Sequence, residues 1–270
     1  MMFSLLIANF NNGKYLEECV NSIIIQKFQN FEIVIVDDCS TDDSIKIILQ
    51  LKDLYPNIRL YQNKINSGCG FTKRRLCELA NGEILAFVDP DDTISEYALQ
   101  KMFEAHIEYP NYSLIYSTLF YCNSQLQPKY LSPYVQEIPV GQTLLTFKEG
   151  CISHFATFKK KYYNMTEGID PSLIRAVDQD LYYKLEEVAP VKFINIPLYY
   201  YRIHEQGIST GQNEKKAYIW HLKVKINAYN RRGEKIMKFK SLAILAKLKN
   251  DFFNLFRYSI CYFICKFYEG

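Results

Sequence analysis

At 270 residues the chain has room for one sizeable domain with an appendage, or for two small ones. Apolar residues make up 49% and charged residues 23%, and eight cysteines are scattered without a CxxC pair or a zinc spacing. With no basic leader or cleavage site in residues 1–8, reduced thiols in a cytoplasmic protein are expected rather than a disulfide framework. No uncharged apolar run is long enough to span a bilayer. The net charge of +3 conceals two regions: residues 211–270 hold 13 Lys and Arg against 4 Asp and Glu, and residues 1–210 hold 19 against 25. An acidic body and a basic tail are expected to meet different partners.

In chain order, residues 3–8 form a short, nearly continuous apolar run, the pattern of a strand buried on both faces. After the turn Asn9-Phe10-Asn11-Asn12-Gly13, the spacing of Leu16, Val20, Ile23 and Ile24 predicts a helix over 15–26. A second strand, 31–36, ends in Asp37-Asp38-Cys39-Ser40-Thr41-Asp42-Asp43-Ser44, whose Ser and Asp can cap a helix over 44–54. A third strand is expected at 58–63, a Gly-containing turn at 66–70 and a helix at 71–80. A fourth strand, 83–88, ends abruptly in Asp89-Pro90-Asp91-Asp92. Strands alternating with helices at this spacing indicate βαβ units, and ligands of such sheets bind beyond the carboxyl ends of the strands. The Asn-rich turn, the Asp37-Asp38 turn and the Asp89–Asp92 turn should therefore converge on one crevice.

Three carboxylates within four residues repel one another unless something positive lies among them. A hard divalent cation carrying a phosphate-bearing ligand meets that need, since it takes a few protein oxygens and completes its shell with phosphate and water. GxxxxGK and GxGxxG are both absent, so neither a P-loop nor a dinucleotide fingerprint is present.

Together, Ile7-Ala8-Asn9-Phe10-Asn11, Ile35-Val36-Asp37-Asp38-Cys39-Ser40-Thr41-Asp42, the Asn66-x-Gly68 turn with Lys73, and Asp89-Pro90-Asp91-Asp92 resemble the family 2 glycosyltransferases of the GT-A fold. The likeness extends through Asp178 and Pro197-Leu198-Tyr199-Tyr200-Tyr201-Arg202-Ile203-His204. It implies a Rossmann-like α/β domain over 1–210 with a mixed, mainly parallel sheet flanked by helices. Residues of about 1–95 would bind a nucleotide sugar, and about 96–210 would supply the acceptor side and the base. The implied reaction is inverting transfer of a sugar from a nucleotide diphosphate sugar, UDP-sugar favoured, to a glycan or lipid-linked acceptor, with Mn²⁺ or Mg²⁺ as cofactor. By the same resemblance Phe10 packs on the donor base, where Tyr is usual, and Ala8 replaces a Pro or small polar residue. Asp38 would accept a hydrogen bond from the base. Lys73 would meet the donor in place of an Arg, keeping its charge and losing its bidentate fork. Asp89, Asp91 and Asp92 match the DxD motif, with Asp91 on ribose or metal and Asp92 on metal. Two other readings stay open: a sugar nucleotidyltransferase on a related fold, and a non-catalytic nucleotide-sugar-binding protein.

The middle of the chain is less informative: a helix is expected at 95–107, a strand at 113–120 and a loop at 130–142. His154, among apolar residues, reads as a core or supporting histidine. Leu181 and Leu185 place Asp178 near the start of a helix, where the dipole supports its charge. The resemblance implies that Asp178 is the base that deprotonates the acceptor hydroxyl, although Val177 stands where a Glu is frequent. Asp180, two residues on, reads as a cap or ion-pair residue. His204, after a Tyr-rich strand and before Glu205 and Gly207, would complete the metal shell. Residues 211–270 read as a basic amphipathic helical tail, with helices at 214–232 and 235–267. Its interleaved lysines and aromatics suit a peripheral membrane contact through 235–268, and equally a helix packed on protein. Nucleic acid is not an expected partner, since the body is acidic and no nucleic-acid motif occurs.

Overall fold

The structure, a computed structural model, describes residues 1–148, 150–204 and 214–269. Strands β1 (Phe3–Asn9), β2 (Phe31–Asp37), β3 (Ile58–Gln62) and β4 (Ile84–Phe87) run parallel in the order β3-β2-β1-β4. Helices α1 (Gly13–Ile24), α2 (Ser44–Leu54) and α3 (Cys69–Leu79) connect them. Every residue of β2 is buried, as is nearly every residue of β1, because their Val, Ile and Leu side chains enter one core. Each such side chain contributes about 1.5–3 kcal/mol when fully buried. The chain starts in the middle of this half-sheet, passes to β3 on one side and returns to β4 on the other. The strand order therefore reverses at β1, and the pairing of Asn9 with Asp37 and of Leu6 with Phe87 brings three carboxyl ends to one crevice.

Beyond β4 the sheet changes character. It continues through β5 (Thr93–Ile94), α4 (Ala98–Glu108), β6 (Leu114–Cys122), β7 (Pro128–Leu131), β8 (Ala156–Lys159), α5 (Lys160–Tyr163), α6 (Val177–Val188) and β9 (Val191–Arg202). Strand β8 lies antiparallel between β4 and β6, while β9 is parallel to β6 and antiparallel to β5. Among the described residues the result is one nine-stranded mixed sheet, wholly parallel only in its first four strands. The segment expected as a loop over 130–142 begins instead as the end of β7, an exposed strand on β6. Its Pro128 opens an edge strand, where the missing N–H costs no ladder bond.

Helix α7 (Glu214–Arg232) packs back on the domain, for Val224, Ala228 and Tyr229 join the main core. Arg231 and Arg232 at its end pair with Glu187 and Glu186 of α6 at 2.8 Å each. Gly233, at φ +73°, ends α7 in a left-handed turn, with the Glu234 N–H on the Tyr229 carbonyl at 2.9 Å. The single helix expected at 235–267 is two helices, α8 (Lys235–Leu248) and α9 (Phe252–Glu269). Asn250 turns left-handed between them, and the Asp251 carboxylate accepts the Asn254 N–H at 3.1 Å, which starts α9 afresh. All eight cysteines are free thiols. No described helix is long and apolar enough to cross a membrane.

Candidate active site

A cleft of about 690 Å³ opens at the carboxyl ends of β1, β2 and β4 and reaches the start of α6 and the end of β9. The volume lies within the usual range for small-molecule and cofactor sites. Phe10, Asp38, Lys73, Asp89, Asp91, Asp92, Asp178 and His204 all line it.

The β1–β2 wall is held by its own backbone. Asp37 accepts the Asn9 amide at 2.7 Å, the Ser40 hydroxyl at 2.5 Å and the Ser40 N–H at 2.9 Å. Asn11, left-handed at φ +53°, turns its side-chain oxygen to the Thr41 N–H at 2.8 Å. Asp42 spans two helix starts, accepting the Gly13 N–H at 2.9 Å and the Ser44 N–H at 3.0 Å. Burial works against its charge, but those hydrogen bonds from Ser44 and Gly13 hold its carboxyl below the ordinary range. Asp38 accepts Asn63 at 2.7 Å and the N–H groups of Ser67 and Gly68 at 2.8 Å each, so it secures the 66–68 turn. Three of its roughly four lone-pair positions are thereby filled, which leaves room for one further donor. Phe10 stands at the lip, 42% exposed.

The end of β4 divides its three acids among different partners. Asp89 faces Lys73 at 3.5 Å and His154 at 3.4 Å. Burial opposes its ionisation, yet Lys73 and His154 hold its carboxyl below the usual range. Asp91 meets His204, with Nε2 2.8 Å from Oδ2. Asp92 is 2% exposed and turns inward, accepting the Tyr199 hydroxyl at 2.8 Å and the Arg202 N–H at 2.7 Å. Burial, reinforced by Asp91 and Asp89, pushes its carboxyl well above the ordinary value. The resemblance puts Asp92 on the metal; in the structure each of its oxygens already accepts one hydrogen bond, and the residue ties the turn to β9. Arg202 completes that tie, donating to the Asp91 carbonyl at 2.6 Å and to Glu18 at 2.6 Å.

Across the cleft, the Lys73 ammonium lies 2.9 and 3.0 Å from the two oxygens of Asp178. Burial disfavours the charge on Lys73, but Asp178 and Asp89 outweigh it and raise its pKa well above the ordinary value. Asp178 sits in the first turn of α6, which is aimed by Ala176 in the left-handed region at φ +56°. Gly70 explains why α3 and the approach to α6 fit so closely: a Cβ there would lie 2.5 Å from the carbonyls of Asp170 and Leu173. The Gly70 N–H donates to Leu173 at 2.8 Å. Asp180 faces away from the cleft and pairs with Lys184 at 2.6 Å. His154 stacks on Tyr199 with ring centroids 5.0 Å apart and so supports Asp89.

Sequence reasoning passed over Asn9, Asp37, Tyr199, Arg202 and Glu18 as structural partners of the site. All but Glu18 lay within the quoted motifs, but Tyr199, Arg202 and Glu18 gain their meaning only when β9 and α1 reach β4. The residues 205–213 beyond His204 lie outside those described, so the expected turn at Glu205 and Gly207 does too.

Among the described residues no three His, Cys, Asp or Glu side chains gather into a metal cage. A cation that keeps substrate phosphates and water as ligands needs only one or two protein groups. Asp91 and His204 fit that requirement as a carboxylate beside an imidazole, and among the described residues the buried Nδ1 of His204 has no hydrogen-bond partner. An imidazole in the set favours Mn²⁺ over Mg²⁺.

This sheet, reversed at β1 and lined with acids at its carboxyl ends, is the architecture of the GT-A glycosyltransferases. The solved structure of S. aureus TarS 1–349 in complex with UDP-GlcNAc superposes with a TM-score of 0.69 at 22% identity, over 94% of this chain and 73% of that one. A mannosyltransferase from Pyrobaculum calidifontis, in complex with GDP-Man and Mn²⁺, shares the fold with a TM-score of 0.59 at 13% identity, over 99% and 87% of the two chains. The glycosyl transferase family 2 model matches residues 4–166, and the chain belongs to that family. It is 30% identical to the chondroitin synthase of Escherichia coli over 93% of its own length, and spans 37% of that relative.

Proposed function

We propose that the protein transfers a sugar, with inversion, from a nucleotide diphosphate sugar to a glycan or lipid-linked acceptor in the assembly of a surface polysaccharide. The observation that carries this reading is the meeting of Lys73, Asp89 and Asp178 opposite the Asp91–His204 pair in one cleft. The donor is read as a UDP-sugar, in line with the UDP-GlcNAc bound by S. aureus TarS and with a free acceptor position on Asp38 beside the base-stacking Phe10. Chondroitin synthase, a relative matched over most of the chain, supports a polysaccharide product.

In this reading Phe10 packs on the base and Asp38 takes one of its N–H groups. Asp89 and Lys73 face the ribose and diphosphate. Asp91 and His204 hold the divalent cation, which when bound neutralises the leaving diphosphate. Asp178 takes the proton of the acceptor hydroxyl as that oxygen attacks the anomeric carbon from the side opposite the diphosphate. Lys73 holds Asp178 in place before the donor arrives. A diphosphate beside Lys73 then competes for its ammonium and leaves Asp178 free to face the acceptor. Asp92 takes no part in the chemistry and keeps the Asp91 turn against β9.

The test is nucleotide release over a panel of UDP-, GDP- and dTDP-sugars, for wild type, Asp91→Asn and Asp178→Asn. Release from one donor with Mn²⁺, abolished by EDTA and by Asp91→Asn, is the expected result. Donor binding that survives Asp178→Asn while release is lost supports the base. A protein that binds none of these donors with metal present does not have this function.

A further inference from the structure

The C-terminal helix α9 shows its apolar side to solvent. Its exposed residues are five phenylalanines, Phe252, Phe253, Phe256, Phe263 and Phe267, with Ile260, Ile264, Arg257 and Lys266. The seven apolar side chains are between 41% and 83% exposed. The helix packs on α8, and its half-buried residues mix Asn254, Tyr258, Ser259 and Tyr262 with Leu255, Cys261 and Cys265, so the bulky apolar side chains are concentrated on the exposed side. Ordinary surface helices have the opposite arrangement. At about 100° per residue the seven apolar positions fall within an arc of about 120°. Arg257 lies about 20° beyond one edge of that arc and Lys266 about 40° beyond the other.

The charge around this face selects its partner. Lys235, Lys240, Lys247 and Lys249 are exposed along and just after α8, and the only acid between 235 and 267, Asp251, is half-buried against Asn254. A second copy would bring Arg257 and Lys266 of both chains into one interface, with no carboxylate on this face among the described residues to pair with them. An anionic bilayer offers acyl chains to the phenylalanines and phosphates to the flanking cations, whose long stems reach up to the headgroups. We infer that α9 is an interfacial membrane helix, lying in the plane of an anionic lipid surface with residues 252–267 as its inserted face. The expected contact over 235–268 thus narrows to one face of one helix, and α8 supplies the surrounding positive charge. This inference stands apart from the sugar-transfer reading, since its test requires no turnover.

The experiment is flotation of the 270-residue chain with phosphatidylcholine vesicles, with and without phosphatidylglycerol. Binding to the anionic vesicles should exceed binding to the neutral ones by about tenfold, and salt should weaken it. The exposed pair Phe253→Ser and Phe263→Ser should lower binding by at least about tenfold, with circular dichroism unchanged. Arg257→Gln with Lys266→Gln should remove most of the preference for phosphatidylglycerol. Failure to float with either vesicle overturns the inference, and so does flotation indifferent to the phenylalanine pair. A wild-type chain that is dimeric by light scattering without lipid, and monomeric once that pair is changed, assigns the face to a second copy and overturns it too.

Discussion

The two walls of the cleft are built by different means. On the β1–β2 side, Asp37, Asp38 and Asp42 spend their oxygens on backbone N–H groups and short side chains of neighbouring turns. On the β4–α6–β9 side the contacts are charged and join residues far apart in sequence. Lys73 and Asp178 are 105 positions apart, Arg202 and Asp91 are 111, and His204 and Asp91 are 113. One wall is a backbone template that forms with the parallel sheet. The other exists only once α6 and β9 have docked, and it contains the groups that can exchange one charged partner for another.

This contrast can be broken most sharply at Asp178. Asp178→Asn should lower the rate of sugar transfer by about 10³- to 10⁴-fold, toward the upper end for a general base, while leaving donor affinity within a few-fold. Steady-state kinetics beside donor titration by calorimetry check this, and equal losses in both would make Asp178 a binding residue. On the same wall, His204→Ala should raise the Mn²⁺ concentration needed for half-maximal donor turnover by at least about 10- to 100-fold, since losing a ligand costs no less than losing a supporting partner. Turnover with an unchanged Mn²⁺ requirement would remove His204 from the metal set.

On the template wall the effects should fall on stability instead. Asp38→Ala strips partners from the N–H groups of Ser67 and Gly68, and should cost about 1–3 kcal/mol in urea denaturation as well as weaken donor binding. The smallest effect concerns Glu32, near the start of β2, which accepts Ser4 at 2.6 Å, the Asn81 N–H at 2.5 Å and Arg59 at 2.7 Å. Burial opposes its charge, but these partners hold its folded pKa below the unfolded value of 4.5. Its contribution is therefore present above that value and is lost as the pH falls through the folded pKa. Glu32→Gln should flatten the dependence of the urea midpoint on pH below about 4.5, with little change in its relative slope near neutrality.

The template wall was also the legible one. Short, largely apolar runs between turn residues mark β1, β2 and β4, and α2 occupies the expected span 44–54. The other wall was legible as residue types and not as partners. Nothing local distinguishes Asp92 from Asp89 or Asp91. Their roles separate only when Tyr199 and the Arg202 N–H, 107 and 110 residues away in the chain, take the oxygens of Asp92. The antiparallel insertion of β8 between β4 and β6 was unreadable for a similar reason, since a four-residue strand carries no mark of its direction. The break between α8 and α9 is a different kind of omission. Asn250-Asp251 is a turn-and-cap signal present in the sequence, and the apolar periodicity around it was read straight through.

Asp42 has a consequence for how any anion can be held in this cleft. The start of a helix after a strand is a ready seat for phosphate in α/β folds, because its N–H groups point outward and its dipole favours negative charge. Here Asp42 fills the seats at α1 and α2 through Gly13 and Ser44, and Asp38 fills the one before α3 through Ser67 and Gly68. At these three helix starts the protein has set its own carboxylates against backbone N–H groups. A phosphate near those turns meets side-chain cations instead, the buried Lys73 first among them, and its ion pairs to Asp178 and Asp89 can be exchanged within a turnover as a backbone cradle cannot.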